Sequence, residues 1–75
     1  MTDKSKYVGI YVYASRRNTP GIYGTITDII QDENNPEVEW FIVANTDESS
    51  EEKYSRWSKN ELKKVIVTTK LVKLD

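Results

Sequence analysis

The sequence predicts an all-β fold: a small five-stranded antiparallel barrel with one short helical turn at 58–62 and a long C-terminal strand. Apolar and polar residues alternate in the first strand, turn residues separate the apolar segments, and no segment has the period of an amphipathic helix. The 75 residues are predicted to form one domain, with residues 1–5 as a flexible N-terminus. A chain of this length buries only about 60% of the surface that it exposes when unfolded, so the core must be small.

The first strand is predicted over residues 7–14, with its β-branched side chains facing the core, namely Val8, Ile10 and Val12. Tyr11 and Tyr13 then face the opposite side of the strand. Residues 15–21 interrupt the alternation, and Pro20-Gly21 is a strong turn signal. We therefore expect a loop between the first and second strands.

The second strand is predicted over residues 22–30, with Ile22 and Ile26 on one face. The doublet Ile29-Ile30 interrupts strict alternation, which predicts a bulge or a sharp bend at that point. Gly24 lies in the middle of the strand, where a residue without a side chain indicates that another backbone comes close.

The third strand is predicted over residues 38–44, after a loop at 32–36, and is apolar on both faces. It should therefore lie centrally or be covered. We expect Trp40 in the core, with a surface position as the alternative. A short fourth strand follows at 53–57, and the pattern favours neither a core nor a surface position for Trp57 at its end.

Ser58 and Glu61 have the spacing of a capping box, in which each side chain satisfies a backbone N–H of the other residue. One helical turn would then present Leu62 to the core. The last strand is predicted over residues 64–74 as one long strand, with its inward side chains at Val65, Val67 and Leu71.

Composition excludes most catalytic chemistry. The chain has no histidine and no cysteine, which removes the common nucleophilic arrangements and nearly all zinc sites. The glycines do not form a phosphate-binding loop, and the carboxylates lie in solvated loops where nothing separates their pKa values. We expect a protein that is not an enzyme and needs neither a cofactor nor a metal.

The charge pattern disfavours duplex DNA as a partner, because the net charge is −1 and DNA-binding domains are usually basic. Two acidic clusters would repel a phosphate backbone: Asp32, Glu33, Glu37 and Glu39, and then Asp47, Glu48, Glu51 and Glu52. No apolar segment is long enough to span a membrane, and the N-terminal residues are too polar for a signal peptide. We expect a cytoplasmic protein with no membrane partner.

Three motifs occur in a fixed order: Gly-x-x-Gly-Thr-Ile-x-x-Ile at 21–29, Val38-Glu-Trp40, and Arg56-Trp-Ser-x-x-Glu-Leu62. In this order and spacing the chain from about Tyr7 to Val67 resembles the Src homology 3-like small β-barrels. These include the KOW, Tudor and chromo-barrel-like modules and the peripheral barrel subunits of photosynthetic complexes. The acidic 46–52 loop is longer than in many members, and no subfamily is assigned.

The resemblance implies a non-catalytic module with a binding groove between the 14–21 loop, the 32–36 loop and the turn at 58–62. We expect the partner-binding residues to be Tyr11, Tyr13, Arg16, Arg17, Trp40, Trp57 and Asn60. Surface tyrosine and tryptophan are the usual anchors of interfaces, and a pair of arginines can clamp a carboxylate or a phosphate.

The leading interpretation is a protein-interaction module, a small adaptor or inhibitor of the kind found among phage or mobile-element accessory proteins. The first alternative is nucleic-acid binding, in which the tyrosines stack on bases and the basic residues meet phosphates: Arg16, Arg17, Lys59, Lys63 and Lys64. The second alternative is capture of a small charged ligand in an oligomer, using the same aromatic groove.

The C-terminal extension at 68–74 continues beyond the point where barrels of the resembled family close. Its apolar residues would lie outside the expected core, and an unpaired strand edge is a template for another chain. Lysines at 70 and 73 would blunt that edge. Between these interpretations we favour slightly a homodimer that pairs through 68–74.

Overall fold

Hydrogen-bonded strands dominate the computed structural model, which describes residues 2–47, 49, 51–67 and 70–74. Six strands form one antiparallel sheet within these residues: β1 Tyr11–Arg16, β2 Thr19–Gln31, β3 Glu39–Asn45, β4 Tyr54–Trp57, β5 Leu62–Val67 and β6 Lys70–Lys73. Their order across the sheet is β4-β3-β2-β1-β5-β6. Two 3₁₀ turns, Lys4–Lys6 and Lys59–Glu61, complete the fold. The all-β antiparallel class is confirmed, with six strands rather than five.

The long strand β2 pairs with β1 through its first part and with β3 through its second part. The register with β3 shifts between Ile26 and Asp28, so Thr27 is the extra residue of a bulge. The bulge lets Ile26 and Ile29 both point into the core, and it leaves Ile30 39% exposed. The bulge was expected at Ile29-Ile30, but the register places it slightly earlier, at Thr27. After the bulge the alternation has shifted by one residue, so Ile29 faces the core and Ile30 faces outward.

Gly24 confirms the predicted close approach of another backbone. A Cβ atom at this position would collide with the carbonyl oxygen of Ala44 and with the side chain of Val43, both on β3. Gly24 pairs with Val12 of β1 and with Asn45 of β3, so it lies where the two pairings of β2 overlap.

The turn between β1 and β2 differs from the predicted one. The chain turns at Arg17 and Asn18, and Asn18 has a φ of 64°. Asparagine tolerates this left-handed conformation better than most residues, so it can close a two-residue hairpin. Pro20 and Gly21, which were expected to form the turn, lie within β2.

The N-terminal segment also differs from expectation. Residues 4–6, most of which lie inside the predicted flexible N-terminus, form a 3₁₀ turn that Asp3 caps by accepting from the N–H of Ser5. Residues 7–9 form a further turn that ends at Gly9 with a φ of 98°. The first strand therefore begins only at Tyr11. As a result Tyr7 is buried, and Val8, which was expected inside, is 45% exposed.

The core is a single cluster to which both ends of the sheet contribute. Its buried members are Tyr7, Val12, Ala14, Ile26, Ile29, Phe41, Val43, Trp57, Leu62 and Leu74. Trp57 ends β4, Leu62 begins β5 and Leu74 follows β6. Because these residues share one core, the sheet must curl around that core, which gives a barrel-like domain.

The predicted single strand over 64–74 is wrong, because the chain folds back and β6 pairs with β5 as a hairpin. The connecting residues 68 and 69 lie outside the described residues. Val67, which was expected inward, is 56% exposed, and Leu71 is 36% exposed. Leu74 instead enters the core at 8% exposure. Folding back buries a leucine that an uninterrupted strand would have left in water, so the C-terminal segment is part of the barrel.

Replacing Leu74 with alanine should therefore destabilise the protein by about 2–3 kcal/mol, the lower part of the range of about 2–5 kcal/mol for truncating a core leucine. Leu71→Ala is the matched control and should cost less than about 1 kcal/mol, because Leu71 lies outside the core and is 36% exposed. Urea unfolding followed by circular dichroism measures both. Equal costs for the two leucines would contradict the placement of Leu74 in the core.

Candidate functional site

The predicted site residues separate into two surfaces. Tyr11 and Tyr13 belong to what we call the tyrosine face, formed by Tyr11, Tyr13, Tyr23, Val65, Ile66 and Val67. Arg16 and Trp40 belong to what we call the arginine groove, lined by Arg16, Trp40, Arg56, Ser58 and Glu61. The resemblance implied a single groove with all of these residues near its floor, but alternation along β1 turns the tyrosines away from the arginine groove.

Strand register brings the three tyrosines together. Tyr13 of β1 lies directly opposite Tyr23 of β2, and the two ring centroids are 4.9 Å apart at an interplanar angle of 52°. Tyr11 stacks on the same ring at 6.1 Å with an angle of only 17°. The ring of Tyr13 lies over Gly21, where a side chain would collide with its hydroxyl group. Gly21 therefore leaves the space that the ring of Tyr13 occupies, and Tyr23 contacts both of the other tyrosines.

Aliphatic side chains of β5 extend this surface. Val65, Ile66 and Val67 line a groove of about 590 Å³ together with Tyr11 and Tyr23. Ile66 is 49% exposed, and the two tyrosines are about 40% exposed. Large apolar side chains that remain this accessible beside one another mark an interaction surface more often than a solvated one.

A second depression lies on the other side of the tyrosines and is more polar than the groove beside β5. It is lined by Tyr11, Gly21, Ile22, Tyr23, Asn45, Thr46 and Asp47 and has a volume of about 480 Å³. The tyrosines thus form a ridge between an apolar groove beside β5 and a polar depression beside the end of β3.

Arg16 is engaged within the protein. Its Nε donates to Glu61 Oε2 at 2.9 Å and its Nη2 donates to Glu61 Oε1 at 3.1 Å, which is a bidentate pair. Nη2 also donates to the carbonyl oxygen of Arg56 at 2.8 Å. The guanidinium carbon lies 4.1 Å from the ring centroid of Trp57, in the range of a cation–π contact. Arg16 therefore connects β1, β4 and the second 3₁₀ turn.

The predicted capping box at Ser58 and Glu61 is present. The backbone N–H of Ser58 donates to Glu61 Oε1 at 2.9 Å, and the Ser58 hydroxyl donates to the same oxygen at 3.0 Å. The Glu61 carboxylate therefore accepts hydrogen bonds from Arg16 and from Ser58 at once. These bonds favour its charged form, with Arg16 as the largest cause, and they lower the pKa of Glu61 from 4.5 to about 2 although partial burial opposes the shift.

Trp40 lies on the side of β3 opposite to the buried Phe41 and Val43, so the expectation of a core position is wrong. Its indole N–H donates to Asp32 Oδ2 at 3.0 Å, and the guanidinium carbon of Arg56 lies 5.4 Å from its ring centroid. The bond from Trp40, followed by backbone N–H donors in the loop, lowers the pKa of Asp32.

The remaining predicted residues take other positions. Trp57 is only 3% exposed, so it supports Arg16 from beneath. Arg17 is exposed at the tip of the β1–β2 hairpin, and Asn60 is exposed in the 3₁₀ turn. Lys59 lies over the ring of Tyr7 at 5.4 Å. Sequence reasoning missed Tyr23, although its alternation with Gly24 and Ile26 was a signal that it faces outward.

Neither a candidate metal site nor a membrane-spanning helix occurs among the described residues. Among those residues there is no group of three or more acidic, histidine or cysteine side chains that could hold a metal ion. Nor does any helix there have the length and apolarity needed to cross a membrane. No polar or charged residue in the same ranges is buried in the core.

No protein-family model matches this chain, and neither a curated protein nor a solved structure matches it. What the two surfaces can bind must therefore be inferred from their own side chains. The tyrosine face offers exposed aromatic and aliphatic area, whereas the arginine groove offers polar groups that are already bonded to one another.

The low pKa of Glu61 predicts a pH-dependent contribution to stability. A carboxyl whose pKa is lowered on folding stabilises the protein above its unfolded pKa, and this stabilisation is lost as the pH falls from 4.5 towards about 2. Glu61→Gln should therefore reduce the free energy of unfolding at neutral pH by about 1–2 kcal/mol, allowing for solvent screening. The difference should shrink towards pH 2 in parallel urea titrations. A difference that stays constant with pH would contradict this assignment.

The two adjacent arginines should respond differently to substitution by lysine. Arg16→Lys loses the bidentate fork and the planar contact with Trp57, so it should cost about 1 kcal/mol of stability. Arg17→Lys changes an exposed hairpin residue and should cost less than about 0.5 kcal/mol. Thermal unfolding of both variants at one pH is the measurement. A larger effect at Arg17 than at Arg16 would show that the contacts of Arg16 with Glu61 and Trp57 do not form in solution.

Proposed function

We propose that this protein is a non-catalytic interaction module that docks on a larger protein partner through the tyrosine face. The observation that supports this most is the cluster of three tyrosines in ring contact, two of them exposed, beside the exposed aliphatic residues of β5. Tyrosines supply large contact areas at low entropic cost, and they cost least when neighbouring rings already hold them in place.

Mutual stacking also favours a protein partner over a nucleic acid. Base stacking needs a free aromatic face, whereas Tyr23 is contacted by Tyr11 and by Tyr13. The neighbouring groove adds three aliphatic residues, which suit apolar side chains better than phosphates. Nucleic-acid binding therefore remains the second candidate.

The arginine groove is the place where the resemblance would put a binding site. Arg16 bonds to Glu61, and Arg56 lies over the ring of Trp40. A ligand carboxylate or phosphate at Arg16 would have to displace a bidentate carboxylate that is already in place. We therefore assign this groove a structural role, and we assign binding to the tyrosine face. A module of this kind suits an adaptor or an inhibitor.

The double variant Tyr11→Ala/Tyr23→Ala tests the proposal. Affinity purification from extract of the source cells, quantified by mass spectrometry, should recover at least about tenfold less of the specific partner with this variant than with the natural protein. The loss is expected because both exposed rings of the ridge are removed. Circular dichroism should show that the variant is still folded.

Tyr54→Ala is the matched control, because Tyr54 is 63% exposed and lines neither groove. It should recover the same partner as the natural protein. If the tyrosine double variant keeps every specific partner while Arg16→Ala loses them, the binding surface is the arginine groove and the proposal is wrong.

A further inference from the structure

The charge of the β5–β6 hairpin is opposite to that of the protein as a whole. The segment 62–74 contains Lys63, Lys64, Lys70 and Lys73 and no acidic residue. The whole chain carries a net charge of −1. One strongly basic element therefore forms one side of the tyrosine face in an otherwise acidic protein.

Strand register places two of these lysines beside the apolar groove. Lys63 lies opposite Tyr13, and Lys73 lies opposite Lys63 on the next strand, so both belong to the tyrosine side of the sheet. They flank the groove at its Tyr13 end.

The other two lysines face away from the groove. Leu71 lies opposite Val65, which lines the groove, so alternation along β6 turns Lys70 to the other side of the sheet. Alternation along β5 does the same for Lys64.

The acidic residue that lines a neighbouring depression is Asp47, on the far side of the tyrosine ridge. The tyrosines therefore separate an apolar groove with two lysines at its Tyr13 end from a more polar depression with a carboxylate. Such an arrangement discriminates between partners, since an acidic segment is attracted to one side of the ridge and repelled from the other.

A second copy of this chain is a poor occupant. The strand β6 lies at the edge of the sheet, and its sequence is Lys-Leu-Val-Lys. Centred antiparallel pairing of two such strands would put Lys70 opposite Lys73 twice, and like charges directly opposite each other destabilise a sheet. Lysines on an edge strand are a common device against such self-association.

We propose that the groove lined by Tyr11, Tyr23 and Val65–Val67 binds an extended acidic segment of a protein partner. A bulky apolar side chain of that segment occupies the groove, and carboxylates next to it in sequence meet Lys63 and Lys73. This inference rests on the proposed function, which needs only that the tyrosine face binds a protein. It adds the chemistry of the segment that is bound.

The two kinds of contact contribute differently. Burial of the apolar anchor against the tyrosines supplies most of the affinity, because aromatic area removed from water is the main favourable term. The exposed lysines add association rate and selectivity, and their contribution is screened as salt increases. Binding should therefore weaken with salt but persist at high salt.

A peptide library displayed on phage and selected against the full chain tests this chemistry without assuming a partner. The selected peptides should carry an aromatic or large aliphatic residue close to several aspartates or glutamates. One selected peptide, labelled with fluorescein, is then titrated by fluorescence anisotropy. Lys63→Glu/Lys73→Glu should weaken its binding by about tenfold or more at moderate salt.

Lys6→Glu/Lys53→Glu is the charge-matched control, since both lysines are exposed and line neither groove. It should leave the affinity within about twofold. Replacing the peptide's acidic residues with lysine should restore binding to the Lys63→Glu/Lys73→Glu protein. A folding defect in that variant would not be rescued in this way, so the rescue separates recognition from stability.

Several outcomes would overturn the inference. Selected peptides that lack acidic residues but lose binding in Tyr11→Ala/Tyr23→Ala would leave the proposed function standing and refute the acidic segment. Peptides whose binding is weakened by neither the tyrosine nor the lysine variant would refute both the proposed function and the acidic segment. Tighter binding of a thymidine oligonucleotide than of any selected peptide, lost in the lysine variant, would favour nucleic acid. A dimer in light scattering that Tyr11→Ala/Tyr23→Ala abolishes would favour a second copy.

Discussion

The domain depends on one strand, β2, being shared by two halves of the sheet. Its first part pairs with β1 and its second part with β3, and the bulge at Thr27 lets it bend between them while apolar residues on both sides of the bend stay inward. Gly24 lies where the pairings overlap, and only a residue without a side chain lets the Ala44 carbonyl come so close. Without this bend, residues from the two ends of the sheet would have no common core.

Closure of the curled sheet requires a contact between the end of β1 and the β4–β5 connection, and Arg16 supplies it. One guanidinium group covers the ring of Trp57, pairs with Glu61 and caps the carbonyl of Arg56. Glu61 in turn holds the 3₁₀ turn through Ser58. A cluster of arginine, tryptophan and glutamate at the surface is therefore accounted for by the closure of the fold, and its polar groups are satisfied without a ligand.

Local signals in the sequence predicted the antiparallel strands, the capping box, the close approach at Gly24 and the outward position of Tyr11. Contacts between distant residues were not predictable in the same way. Arg16 and Glu61 are 45 residues apart, and nothing in either local pattern indicates the other. The β5–β6 hairpin was missed because Thr68-Thr69 carries none of the usual turn residues and is itself typical of a strand. The tyrosine face was missed as a unit, since its tyrosines and aliphatic residues meet only through strand register.

The outward positions of the tyrosines follow from the same strand alternation that places the core residues of β1 inside. Because Val12 must point into the core, alternation sends Tyr11 and Tyr13 outward, and the β1–β2 register sets Tyr23 against both. The rings cannot leave this surface without reversing the core side chains of β1. Their packing against one another restricts them before any partner arrives, so little rotational freedom remains to be lost on binding. A surface of this kind differs from scattered exposed aromatics in that the fold itself determines its geometry.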